Sequence, residues 1–402
     1  MSLEKVEIPY GAYWSTPFVK WQGTLQHLHA MRFAAHVAKG ELARRDIDPK
    51  VFDSGVLGMT NAQFQSFNGA PWPMYELGAT GTPGHMLSQV CATGARLLFA
   101  GASEISLGMA QVSLLLAADR CSNGAHIYYP APAGAGGYGQ SEDQVTYNMA
   151  HDPVGGHSMI QTGENVARKF EITRAELDAV ALRRYEQYQD ALKDGQAFQK
   201  RYLTLPFDVP KPNLKGKQTV LAGDEGVFPT TADGLAELKP VIDGGVVTYG
   251  NMTHPADGNA AVILASSDAA RNLSRNPAIR INVVGFGQAR TDLGFMPAAP
   301  IGAADRALRM AGISLKDVKA IKTHNPFAVN DVAFAKATGV DVMTMNNYGS
   351  SIIWGHPQGP TGLRSVIELI EELVILGGGY GLFTGCAAGD TAMAVVIRVS
   401  DR

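Results

Sequence analysis

The chain reads as an α/β protein built from two related halves, and three observations carry that reading. Strand-like and helix-like segments alternate along its length. Two nearly all-apolar helical segments are each opened by a glycine, Gly94 and Gly362, with an arginine two residues further on, Arg96 and Arg364. Each helix is followed by apolar runs of the kind interior strands need, 112–118 in the first case and 380–384 and 391–399 in the second.

Taken in order, residues 27–45 are Ala-rich with charges at the end and predict a helix. The segment 94–108 is apolar nearly all round, so its helix is buried on most sides. Residues 120–160 change texture, being rich in Gly, Pro and polar residues. A helix over 162–193 follows, with Thr173 and Glu176 spaced as a capping box. Residues 203–240 carry Lys211, Lys215 and Lys217 among prolines. Strand-like residues return at 259–265, a new strand starts at 281–284, and a helix over 365–376 ends at three glycines. The division expected is a first half over 1–119, an inserted loop domain over 120–250, a return strand of the first half over 251–268 and a second half over 269–402.

At 402 residues the chain is long enough for a large core, and 46% hydrophobic with 18% charged residues describes a compact fold. A net charge of -3 gives no electrostatic reason to expect nucleic acid. Residues 1–9 lack the apolar core of a signal segment, and no apolar run reaches the ~18–20 residues of a membrane span. Three cysteines without a close pair argue against a disulfide framework and fit a reducing compartment, so the expected location is cytoplasmic.

The chemistry sits in four short segments, three of them carrying glycine. Cys91 lies in Val90-Cys91-Ala92-Thr93-Gly94, His324 in Thr323-His324-Asn325-Pro326-Phe327, His356 in Gly355-His356-Pro357-Gln358-Gly359, and Cys386 in Gly385-Cys386-Ala387-Ala388-Gly389. A thiolate beside imidazoles, with a second thiol as acid/base, is equipment for making or breaking a C–C bond next to a thioester. Cys91, just ahead of a helix start, is the expected nucleophile, with the helix N-terminus favouring its thiolate. His356 is its expected base. Cys121 lacks such a turn and reads as core. Gly285-Phe286-Gly287-Gln288-Ala289-Arg290 lacks the third glycine of a dinucleotide loop. His151 and His157 with Asp152 lack a fourth ligand, so no metal is expected.

In these motifs the sequence resembles the thiolase superfamily. Cys91-Ala92-Thr93-Gly94 is similar to its Cys-x-Ser-Gly motif, the segment from Gly355 to Arg364 to Gly-His-Pro-x-Gly-x-Ser-Gly-x-Arg, and Gly385-Cys386 to its C-terminal cysteine segment. Residues 248–261 resemble the loop that closes the insertion and borders coenzyme A. The resemblance implies a duplicated five-layered αβαβα fold with an inserted loop domain on the coenzyme A side. It implies thiolytic cleavage of a 3-oxoacyl-CoA, or the reverse Claisen condensation, through a Cys91 acyl-enzyme. Cys386 would be the acid/base, its pKa near ~8.5 keeping both protonation states within reach. His324 and His356 would form one oxyanion hole, and the N–H groups of Cys91 and Ala388 a second. Met159 and Thr253 align with residues beside the acyl and pantetheine groups, and Lys211, Lys215 and Lys217 are candidates for the phosphates. Coenzyme A is expected as co-substrate with no bound cofactor.

The chain departs from the family at residues 9–18, which lack its Arg-Thr-Pro, and at 124–157, which differ from the hairpin of tetrameric members. A homodimer or dimer of dimers is therefore expected, with a small zinc-ribbon accessory subunit among the partners, as some thiolases have. Tyr128, Tyr129, Tyr138 and Tyr147 suggest a roomier acyl pocket for a bulky or aromatic group. Two rivals are weighed: a decarboxylating condensing enzyme with a Cys-His-His triad, which needs no second thiol, and a non-catalytic acyl-CoA-binding subunit, which needs none of the four.

Overall fold

The two halves are built on the same strand order. In this computed structural model, which describes residue 3 and residues 5–402, the first half pairs Tyr13–Ser15 with Ala256–Ser266, then Val112–Arg120, then Ser54–Gly58. The second pairs Ile279–Arg290 with Thr391–Asp401, then Gly379–Ala387, then Val318–His324. In both sets the first two pairings are antiparallel and the third is parallel. Val6–Glu7 joins them, pairing on one side with Ala256–Ser266 and on the other with Ile279–Arg290. Gly84–Leu87 adds an edge strand to the first set.

Both faces of these strands are buried, which is why they read as continuous apolar runs. Alternate residues separate into two cores. Leu115 and Ala117, with Ala260, Val262 and Leu264, face an inner core that also takes Val395 and Ile397 of the second half. Leu114, Leu116 and Ala118 face outward onto the helix Ala30–Arg44. On the far side Ala394 and Val396 pack against the helix Ala299–Ala311. The inner core is filled by the two glycine-opened helices, Thr93–Ser106 and Gly359–Ile375. Helix, sheet, helix pair, sheet and helix are the five layers.

The two central helices cross at their matching glycines. A Cβ on Gly94 would lie 2.5 Å from the backbone nitrogen of Leu363, and one on Gly362 would lie 3.2 Å from Gly94 Cα. At 2.5 Å only hydrogen fits, so the crossing needs glycine at 94, while a Cβ at 362 would be a tight contact.

Some elements differ from the sequence reading. The helix expected over 162–193 is two, Met159–Lys169 and Arg174–Gln196. The Thr173–Glu176 capping box is present, and it starts a new helix instead of lying inside one. The later helix begins at Gly359 instead of 365, with Pro360 in its first turn. Residues 120–250 also contain two antiparallel hairpins, His126–Tyr129 with Gln140–Asp143 and Phe207–Pro210 with Lys217–Leu221. Among the described residues no helix is long and apolar enough to cross a membrane. The reading of residues 1–9 as lacking a signal segment falls partly on Met1, Ser2 and Glu4, which lie outside the described residues.

Candidate active site

Each of the four reactive side chains sits at the end of a rigid element. Cys91 occupies the turn before Thr93–Ser106, where Val90 has φ 47°, a left-handed backbone that a β-branched residue rarely adopts. The Thr93 hydroxyl ties the turn, accepting from Gln89 N–H at 2.8 Å and donating to the Val90 carbonyl at 2.7 Å. His356 follows Gly355, whose φ is 89° and whose absent Cβ would meet His254 and Ala256 within 3 Å. His324 ends its strand, and its register partner on the parallel neighbour is Gly385, beside Cys386.

The fold brings these side chains together. The His324 and His356 rings stack with centroids 4.0 Å apart at 24°. The Cys91 sulfur and a nitrogen of each ring lie within 4.8 Å of one another. His324 Nδ1 meets the Ser351 hydroxyl at 3.1 Å, and His356 Nδ1 the Thr361 hydroxyl at 2.6 Å. Both Nε2 atoms are buried without a hydrogen-bond partner. Cys386 is fully buried, takes a hydrogen bond from Asn330 Nδ2 at 3.2 Å, and is close enough to Cys91 for a charge there to raise its pKa. The backbone N–H groups of Ala388 and of Cys91 itself point at the Cys91 sulfur. A cavity of about 750 Å³ opens over this cluster, lined by Cys91, His356, Gln358 and Ala388. His324 and Cys386 lie behind that lining.

Burial sets the protonation states. The Cys91 sulfur faces the cavity yet sits in a low-dielectric interior, which pushes its pKa up to about 12. The expected stabilisation of a thiolate by the helix N-terminus is therefore outweighed, and the free protein holds a thiol. Cys386 does not keep a pKa near the ordinary thiol value either; burial first, then Cys91, raise it well above that. His324 is pushed down to about 3 by burial, and His356 well below its ordinary value by burial and by charge on His324. Both imidazoles are neutral at physiological pH.

Met159 and Thr253 line the cavity. Lys211, Lys215 and Lys217 do not; they belong to the Phe207–Leu221 hairpin, whose apolar residues pack under the helix Ala30–Arg44, and Lys217 pairs with Asp208 at 3.1 Å. Tyr128, Tyr129 and Tyr138 stand on the exposed hairpin, and none of the four tyrosines lines the cavity, whose apolar wall comes from Met149, Met159, Met252, Met296 and Phe327. Cys121 is buried, its thiol directed at the His356 carbonyl at 3.9 Å. Asp152 accepts the Val154 and Gly155 N–H groups, and His151 stacks on Tyr147.

Sequence reasoning missed Ser351, Thr361, Asn330, Gln358 and Asp119. Asp119 accepts N–H bonds from Thr60 at 2.8 Å, Asn61 at 3.1 Å and Gly359 at 2.9 Å, so it clasps the second-half helix to the first half beside Cys91. Burial raises its carboxyl to about 7. Only Thr361 carried a signal, as a hydroxyl five residues after His356 on a helix start. Among the described residues Cys91, His324 and His356 are the one group with metal-ligand spacing. A zinc ion there would take up the electron pair with which the Cys91 sulfur could attack a substrate.

The family model described as the thiolase N-terminal domain matches residues 12–268, and that for the thiolase C-terminal domain matches 278–399. The chain is 30% identical over 391 residues to the mitochondrial 3-ketoacyl-CoA thiolase of Homo sapiens, covering 95% of this chain and 96% of that protein. It is 30% identical over 381 residues to an acetyl-CoA acetyltransferase of Pseudomonas aeruginosa, covering 94% and 95%. The crystal structure of the human mitochondrial 3-ketoacyl-CoA thiolase superposes with a TM-score of 0.89 at 29% identity, over 98% of this chain and 99% of that one. Its complex with CoA gives 0.88 at 28% identity, over 98% of each chain. With both halves matched in chain order on a shared fold, the chain belongs to the thiolase family of acyltransferases.

Proposed function

We propose that the enzyme cleaves a 3-oxoacyl-CoA with coenzyme A, or runs the reverse condensation, through an acyl group carried on Cys91. The observation that carries this reading is the convergence of Cys91, two neutral imidazoles and the buried Cys386 behind one cavity. In the cleavage direction the Cys91 thiol gives its proton to one of the imidazoles as sulfur attacks the C3 carbonyl. The N–H groups of Cys91 and Ala388 hold the oxyanion. The C2–C3 bond then breaks, leaving the acyl group on sulfur and an acetyl-CoA enolate whose oxygen meets the imidazole pair. Cys386, a protonated thiol, gives its proton to C2. The Cys386 thiolate takes the proton of incoming coenzyme A, whose sulfur removes the acyl group from Cys91.

The acyl group is proposed to be bulky or aromatic. A cavity of about 750 Å³ with Met149, Met159, Met252 and Met296 in its wall supports this, since methionine adapts to irregular apolar shapes. We further propose a homodimer joined along the edge strand Gly84–Leu87, with Phe64 and Phe67 of the same half also exposed, and a cytoplasmic location in keeping with three free thiols. The division at 119, 250 and 268 is kept as a proposal, with the 120–250 insert supplying the cavity wall from Gln144 to Ile160.

One rival has an observation in its favour: a Cys-His-His trio this close also suits a decarboxylating condensing enzyme. Cys386 argues against it, because a carbanion made by loss of CO2 needs no thiol with its own Asn330 donor. The test is coenzyme A-dependent cleavage of acetoacetyl-CoA and of larger 3-oxoacyl-CoA esters by wild type, Cys91→Ala and Cys386→Ala. Turnover is expected to favour the larger esters and to vanish in both variants. Thiolysis surviving Cys91→Ala overturns the mechanism, and preference for acetoacetyl-CoA overturns the acyl assignment.

A further inference from the structure

Two amide side chains in the cavity lining are only half paired. Asn61 and Gln358 both line the cavity, and each is only 4% exposed. Asp119 draws their chains together, taking the Asn61 N–H on Oδ1 at 3.1 Å and the Gly359 N–H on Oδ2 at 2.9 Å. Two thiol protons fix how each amide is turned. The Cys91 thiol donates to Gln358 Oε1 at 3.2 Å, so the amide nitrogen Nε2 is turned away from the sulfur. The Cys121 thiol directs its one proton at the His356 carbonyl at 3.9 Å. Its sulfur therefore accepts from Asn61 Nδ2 at 3.7 Å, and Asn61 Oδ1 is turned away. Among the described residues neither Gln358 Nε2 nor Asn61 Oδ1 has a hydrogen-bond partner, and both are open to the cavity. Gln144, held to the Ala62 N–H through Oε1 at 2.8 Å, leaves a second amide nitrogen unpaired on the same lining.

A buried donor and a buried acceptor in a wall otherwise rich in methionine call for a guest that serves both. A hydroxyl does so, giving its proton to Asn61 Oδ1 and accepting from Gln358 Nε2. A carboxylate does not: it has no proton for Asn61 and would lie near the buried Asp119 carboxyl. A hydrocarbon leaves both groups bare. We propose that Asn61 and Gln358 form a hydroxyl-binding subsite, and that the acyl group of the substrate carries a hydroxyl. This rests on the thiolytic reading above and narrows its acyl assignment from bulky or aromatic to bulky and hydroxylated. In that reading the acyl carbon is bonded to the Cys91 sulfur, which touches the same Gln358 amide. The hydroxyl therefore sits about two to four bonds beyond that carbon. The oxygen on the acyl carbon itself is not the guest, because the N–H groups of Cys91 and Ala388 serve it in the proposed mechanism. Once the sulfur is acylated its proton is gone, and a hydroxyl, able to give or accept, still pairs with the Gln358 amide from either end.

The test is acylation of Cys91 by three esters of similar shape: 3-phenylpropanoyl-CoA, 3-hydroxy-3-phenylpropanoyl-CoA and 3-carboxy-3-phenylpropanoyl-CoA. The Cys91 sulfur takes the acyl group and its proton leaves on the coenzyme A thiol, so no C–C bond need break. Release of coenzyme A and the mass of the Cys91 peptide give the second-order rate constant. In the wild type the hydroxy ester is expected to react about tenfold faster than the unsubstituted one, the scale of two neutral hydrogen bonds. The carboxy ester is expected to be slower than either. In Asn61→Leu and in Gln358→Leu the preference for the hydroxy ester is expected to shrink to within about twofold. The ratio of two esters on one enzyme cancels any change in Cys91 reactivity or in the fraction folded. Equal wild-type rates for the hydroxy and unsubstituted esters, as when water alone fills the subsite, overturn the proposal. Preference for the carboxy ester, or a hydroxy preference that survives both substitutions, overturns it as well. Acylation by none of the three overturns the thiolytic reading and the subsite with it, an outcome distinct from acylation without preference.

Discussion

The Cys91 thiol donates to the side-chain oxygen of Gln358 at 3.2 Å, and not to either imidazole. Gln358 caps the Gly359–Ile375 helix with φ 64° and ψ -110°, a backbone region that strains any residue but glycine. Strain of that kind persists only where the surroundings impose it. The amide oxygen stabilises the protonated sulfur, so Gln358 holds Cys91 as a thiol. Replacing it with leucine is expected to speed alkylation of Cys91 by iodoacetamide about fivefold, the equivalent of one hydrogen bond of about 1 kcal/mol. An unchanged or slower rate would show that the contact does not hold the proton.

A thiol raised to about 12 has a characteristic pH dependence. Its thiolate fraction grows about tenfold for each pH unit across the whole neutral range. Alkylation of wild-type Cys91 should rise log-linearly from about pH 6 to pH 9 with no plateau. A plateau beginning near pH 7 would mean a preformed thiolate–imidazolium pair, contrary to two imidazoles held neutral by burial.

Asn330 Nδ2 is the donor at the Cys386 sulfur, 3.2 Å away, and the Asn330 side-chain oxygen accepts the Phe327 N–H at 3.2 Å. The donor stabilises the Cys386 thiolate, the species that takes a proton from coenzyme A in the proposed mechanism. Asn330→Leu should raise the Cys386 pKa further and lower kcat about tenfold, with thermal stability measured alongside to separate the lost Phe327 contact. Wild-type kcat in a folded Asn330→Leu enzyme would remove Asn330 from the account.

Acid stability follows from the buried imidazole. His324 titrates near about 3 in the fold and near its ordinary value when unfolded. Between those values the unfolded chain binds the extra proton, so stability falls as pH drops below about 6.5. Asp119 and Asp257, raised by burial to about 7 and about 6, act with the opposite sign as pH rises from the carboxylate range. His324→Asn isolates the imidazole: urea unfolding from pH 6.5 to pH 4 should show a slope against pH shallower by up to about 1.4 kcal/mol per unit. Identical slopes would mean that the ring is protonated in the fold.

How much of this was legible beforehand differs by residue. Gly94 and Gly362 marked the duplicated helices because two backbones cross there, most closely at Gly94, and that constraint is written in the residue type. Cys91, His356 and Cys386 were visible because cysteine and histidine stood beside glycines, whereas His324, at a strand end, stood out by residue type alone. Ser351, Asn330 and Asp119 were not, since an ordinary serine, asparagine or aspartate gains meaning only from a partner far along the chain, such as Asp119 beneath Gly359. The protonation states were misjudged at both cysteines because desolvation depends on depth, which motif spacing does not encode. Nor does spacing say where a loop will lie: Lys211, Lys215 and Lys217 stand on a hairpin outside the cavity lining.

The most direct test of the central claim is mass spectrometry of Cys386→Ala enzyme quenched after mixing with a 3-oxoacyl-CoA. A thioester-linked acyl group on the peptide that contains Cys91, absent when Cys91 is also replaced by alanine, is the outcome expected. An acyl adduct on another residue, or wild-type thiolysis with Cys91 never acylated, contradicts it.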